Sequence, residues 1–88
     1  MIHLTIYSRP GCHLCDEMKA VVTNAGCSFP IALEEIDIST DPALEARYGL
    51  EIPVLIIDGK RVAKYRVTEE ELRRMLESRS GGPGKSGG

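Results

Sequence analysis

Tryptophan is absent, phenylalanine occurs once and cysteine three times. With so few aromatics, Tyr7, Tyr48 and Tyr65 read as packing residues and not as a platform for stacked bases. Three cysteines do not make the even-numbered disulfide framework of a small secreted scaffold. Two close cysteines and one distant one suit a cytosolic redox or metal site, and the fold must rest on its apolar core. No apolar run is long enough to span a bilayer, and no basic segment leads into a signal-like apolar stretch. Charge of neither sign dominates: a net charge of −2 gives no overall attraction to nucleic acid. At 88 residues there is room for one core only. A monomeric cytoplasmic domain with neither nucleic-acid nor membrane partner is expected.

What is present is concentrated in Arg9-Pro10-Gly11-Cys12-His13-Leu14-Cys15-Asp16. Ahead of it, Ile2, Leu4 and Ile6 alternate with His3, Thr5 and Tyr7, a period of two that predicts a strand. Pro10-Gly11 is a turn pair, and Cys15, Met18, Val22 and Ala25 then recur at helical spacing. Cys12 is thereby placed at a helix N-terminus, where unpaired N–H groups and the positive end of the helix dipole favour a thiolate. Cys15, one turn on, can close a disulfide behind it. Asp16 and Glu17, in the first turn, oppose that thiolate by their charge.

The helix is predicted over about Cys12 to Ala25, with Gly26 as a left-handed cap. Ile31 to Ile38 is a second strand of imperfect alternation, either bulged near Glu34-Glu35 or apolar on both faces. Asp41 and Pro42 begin a second helix that carries Leu44 and Tyr48 on one face and stops at Gly49. Ile52-Pro53-Val54-Leu55-Ile56-Ile57 reads as a strand buried on both faces. Asp58-Gly59 turns the chain into a strand from about Arg61 to Val67. Thr68 and Glu71 form a capping box for a last helix carrying Leu72, Met75 and Leu76. Residues 80–88, rich in glycine and serine, form an expected disordered tail beyond a 1–79 domain. The order is β-α-β-α-β-β-α: a parallel pair from the strand–helix–strand opening, an antiparallel pair from the hairpin.

This order, with Cys-x-x-Cys after the first strand and a proline opening the third, resembles the thioredoxin fold, and Tyr7 to Asp16 is most similar to its glutaredoxin-like branch. The resemblance covers about Ile2 to Glu77. It implies an α/β protein with a mixed four-stranded sheet and helices on both faces. It also implies a thiol–disulfide oxidoreductase active in electron transport. Cys12 would be the attacking thiol and Cys15 the resolving one. Pro53 would be a cis-proline beside them, and Ile52 would offer its backbone to an extended substrate. The residues alone say only that Pro53 lies at a strand start or edge. Arg9 matches the basic position that meets a glutathione carboxylate. His13 and Leu14 depart from the proline and tyrosine that dithiol glutaredoxins carry between the cysteines. Val62-Ala63-Lys64-Tyr65-Arg66-Val67 replaces the Gly-Gly pair and aspartate that hold the other end of glutathione.

His13 is read as a solvent-facing residue that tunes the couple. Cys27 reads as a small buried hydrophobe, with an exposed regulatory thiol as the sharper alternative. Lys60, Arg61, Lys64 and Arg66 read as solvated charges guarding an edge strand. The expected substrate is a disulfide in a protein or small molecule. The expected reductant is glutathione or a flavoprotein disulfide reductase, with no organic cofactor or metal. Two other functions remain open at this point. One is a zinc or iron–sulfur module built on the same cysteines, which supply half of a four-ligand site. The other is a binding protein whose disulfide only senses redox state.

Overall fold

The computed structural model describes residues 1–79, so the expected tail at 80–88 lies outside the described residues. The elements are β1 (Ile2–Ser8), α1 (His13–Gly26), β2 (Ile31–Asp37), a 3₁₀ turn (Ile38–Thr40), α2 (Pro42–Tyr48), β3 (Val54–Ile57), β4 (Lys60–Lys64) and α3 (Glu69–Arg79). They form one sheet in the order β2-β1-β3-β4. β1 and β2 run parallel, while β3 is antiparallel to both β1 and β4.

The period-two pattern of β1 decides the core. Ile2, Leu4 and Ile6 point to one face, where they pack with Leu55 and Ile57 of β3, Met18, Val22 and Ala25 of α1, and Leu72 and Leu76 of α3. The other face carries Tyr7, whose ring stacks on Tyr48 of α2 with centroids 4.6 Å apart. Helices therefore cover both faces, and β3, the strand with the continuous apolar run, is buried between them.

The ambiguous second strand resolves without a bulge. Its register with β1 is unbroken from Ile2↔Ile31 to Ser8↔Asp37. Ile31 and Leu33 pack against the core, while Ile36, opposite Tyr7, takes the other face. Ile38 leaves the strand and is buried as the first residue of the 3₁₀ turn.

Several ends differ from expectation. Gly26 is not a left-handed cap but the last helical residue of α1, followed by Cys27 at φ −63°. What Gly26 provides is room: a Cβ there would lie 2.3 Å from Cδ1 of Ile31. β3 begins at Val54 rather than Ile52, since Pro53 has no N–H to give the ladder. β4 stops at Lys64, because Tyr65 turns to φ +69°. The Asp58-Gly59 turn takes positive φ at both residues, as a two-residue hairpin requires. The Thr68–Glu71 capping box forms reciprocally, with bonds of 3.1 and 3.0 Å. Among the described residues no helix is long and apolar enough to cross a membrane.

Candidate active site

Gly11, at φ +79°, makes the tight turn that delivers the chain from β1 to α1. Cys12 follows as the N-cap of α1 in extended conformation, its N–H donating to the Arg9 carbonyl at 3.3 Å. Cys12 and Cys15 are joined by a disulfide, with Cα atoms 5.2 Å apart. The Cys15 N–H donates to Cys12 Sγ at 3.1 Å, so sulfur takes the place that a serine or aspartate oxygen holds in an ordinary cap. That donor also favours negative charge on Cys12 when the bridge opens. The two sulfurs differ in access: Cys12 is half-buried, whereas Cys15 is 2% exposed. Cys12 is the more accessible sulfur of the pair. His13 is exposed beside it.

The sheet brings the second expected element to the same end. Tyr7 pairs with Val54, so continuing the antiparallel register by one sets Pro53 across from Ser8, at the end of β1 that leads to Cys12. The Ile52–Pro53 peptide is cis, Pro53 is buried and Ile52 half-buried. The Tyr65 N–H donates to the Pro53 carbonyl at 2.8 Å, which extends the row of strand ends to β4.

Arg9 lies on the other flank, where Ser8, Arg9, Pro10, Gly11, Asp16, Glu35 and Asp37 line a polar cleft of about 290 Å³. Its guanidinium pairs with Oε2 of Glu45 in α2. Glu45 is a residue that sequence reasoning passed over, because the contact is non-local and nothing in the α2 pattern marks it. In the same cleft the hydrogen bond from Lys19 holds the Glu35 carboxyl below its usual range, with a further bond from Ser8. Asp37 is lowered too, by hydrogen bonds from the Ser39 hydroxyl and N–H.

Three of the four hairpin cations pair with the chain's own carboxylates: Arg61 with Glu51 at 2.6 Å, Lys64 with Glu51 at 3.8 Å, and Arg66 with Glu17 at 3.9 Å. Cys27 is exposed, not buried as expected. Ala25 and Gly26 occupy the inward positions of the last turn, and a further 100° of helical rotation turns residue 27 outward. The length of α1 sets it ~20 Å from Cys12 along the axis, too far to complete a metal site with the pair. Among the described residues no group of three or more His, Cys, Asp or Glu is placed to hold a metal ion.

The family model described as "Glutaredoxin-like domain (DUF836)" matches residues 3–77. The chain belongs to that family. It is 32% identical over 83 residues to a glutaredoxin-like protein of Dictyostelium discoideum, covering 88% of this chain and 77% of that one. A structural-genomics target protein from X. campestris is similar at 34% identity and a TM-score of 0.73, over 85% of this chain and 96% of its own. The protein Ne2328 from Nitrosomonas europaea is similar at 30% identity and a TM-score of 0.74, over 85% and 91%. A thioredoxin mutant from Halobacterium salinarum shares 26% identity and a TM-score of 0.64 over 90% and 74%. The fold is thus that of the thioredoxin superfamily, and this glutaredoxin-like chain carries its Cys12–Cys15 pair at disulfide distance, compatible with redox function.

Proposed function

We propose that this glutaredoxin-like protein is a thiol–disulfide oxidoreductase that works through Cys12 and Cys15. The observation that carries the reading is the asymmetry of the pair: a half-buried sulfur that caps α1 and a buried one a turn below it. In the reduced protein the Cys12 thiolate attacks one sulfur of a substrate disulfide. The S–S bond breaks, the other substrate sulfur departs as thiolate and takes up a proton, and a mixed disulfide with Cys12 forms. Cys15 loses its proton and attacks Cys12 Sγ. The second substrate thiol is released, and two electrons have passed to the substrate, leaving Cys12–Cys15 oxidised. Ile52 has backbone N–H and C=O groups with no internal hydrogen bond among the described residues, and these suit an extended substrate chain. His13, exposed beside Cys12, tunes the couple.

The reductant that resets the pair is glutathione or a flavoprotein disulfide reductase, in a reducing compartment such as the cytoplasm. A glutathione carboxylate reaching Arg9 must compete with Glu45 for the guanidinium. No resident cofactor or metal takes part in the cycle.

The test is a disulfide-reductase assay with intact-mass analysis. Cys12→Ser abolishes turnover, and Cys15→Ser accumulates a covalent adduct of substrate mass on Cys12. Full turnover by Cys12→Ser would overturn the assignment of roles.

A further inference from the structure

Tyr65 stands at φ +69°, a region that glycine occupies freely and other side chains enter at a cost. The side chain present there is the largest the chain possesses, and it remains 42% exposed, so burial does not explain it. Its polar groups do. The backbone N–H donates to the Pro53 carbonyl at 2.8 Å, and the phenol donates to the Leu50 carbonyl at 3.0 Å. One residue thus holds both ends of the segment Leu50–Pro53. Leu50 is itself 93% exposed; the stretch is otherwise held at Glu51, by its N–H bond to the Tyr48 carbonyl and its ion pairs with Arg61 and Lys64, none of which reaches Leu50 or Ile52. Between the two Tyr65 bonds lies Ile52, whose backbone groups have no hydrogen-bond partner among the described residues.

Resting on the oxidoreductase reading above, we propose that Tyr65 is a positioning residue: its phenol latches the Leu50–Pro53 segment, so that Ile52 presents a preformed edge to polypeptide disulfides. The left-handed backbone is what aims the ring back across the segment from the end of β4. A small disulfide needs no such edge and reacts at Cys12 alone. The latch therefore acts on binding of extended substrates and not on the sulfur chemistry.

The experiment compares wild type with Tyr65→Phe, which removes only the hydroxyl, and Tyr65→Gly, which removes the ring and relaxes the backbone. Steady-state turnover is measured on insulin disulfides and on bis(2-hydroxyethyl) disulfide, with dithiothreitol as reductant. Amide hydrogen exchange is followed at Leu50, Glu51 and Ile52. In Tyr65→Phe, KM for insulin rises about fivefold, the size of one lost hydrogen bond. Its kcat and its turnover of the small disulfide stay as in wild type, and exchange across the segment quickens. Tyr65→Gly shows the same split at least as strongly. Unchanged insulin KM in both variants, or equal losses on both substrates, would overturn the proposal. If wild type reduces neither disulfide, the oxidoreductase reading fails separately. The exchange data then decide the latch alone, and unchanged rates in both variants sink it.

Discussion

At its first turn α1 meets Cys12, and just past its last it meets Cys27. Cys12 is half-buried and accepts a hydrogen bond from the Cys15 N–H, one of the donors that the start of a helix leaves unpaired. Cys27 is exposed, and its thiol faces the Asn24 carbonyl at 3.1 Å, one of the acceptors that the end of a helix leaves over. The dipole favours negative charge at the first end and disfavours it at the second. The same side chain thus accepts a backbone hydrogen bond at one end of the helix and donates one at the other. Exposure alone would rank them in the opposite order.

That ranking can be broken directly. In the fully reduced protein at neutral pH, iodoacetamide should modify Cys12 at least ~10-fold faster than the more exposed Cys27, with the buried Cys15 slowest. Time-resolved peptide mass spectrometry reads the three rates. A Cys27 that reacts first would show that access outweighs helix position.

The next effect separates the cap from the chemistry. Serine is a good N-cap, so Cys12→Ser should leave the stability of the reduced protein within about 0.5 kcal/mol while removing its activity. Thr68→Ala at the start of α3 removes a cap that carries no chemistry, and should cost about 1 kcal/mol without altering turnover. Urea denaturation under reducing conditions measures both.

The smallest effect lies midway along α1, where Lys19 ties the helix to Glu35 of β2 at 2.9 Å. The Glu35 and Asp37 carboxyls are lowered in the folded protein, so their stabilisation is present above the ordinary carboxyl range and is lost as pH falls through the lowered values. Lys19 is raised, first by its hydrogen bond to Glu35, so its contribution is present below its ordinary value and fades only at strongly alkaline pH. Glu35→Gln should reduce stability at pH 7 by about a few tenths of a kcal/mol, as for other exposed pairs, and flatten the loss below pH ~4. Melting curves between pH 3 and 7 would show it. An unchanged acid limb would remove Glu35 from the account.

Much of the site was local and hence legible. The turn at Gly11, the cap at Cys12 and the inward Cys15 follow from residues within one turn of each other, where steric and hydrogen-bonding rules act without help from the rest of the chain. The Thr68–Glu71 box and the Asp58-Gly59 hairpin were legible for the same reason. The pairing of Arg9 with Glu45 was not, nor was the bond from Tyr65 to Leu50, because each joins elements that meet only when the sheet has formed. Cys27 was misjudged because the expectation rested on the usual burial of free cysteine, whereas Ala25 and Gly26 take the inward positions and leave residue 27 facing solvent.

By itself the chain's pattern determined the element order, the parallel and antiparallel pairs and the placing of a cysteine at a helix start, all of them consequences of periodicity and turn chemistry. Only the tertiary structure decided what flanks that cysteine. Ser8, Pro53 and Tyr65 fall in one row because of strand register, and Glu45 reaches Arg9 because α2 covers the Tyr7 face. Those contacts are set by how the faces of the sheet are buried, a condition that no short stretch of sequence contains.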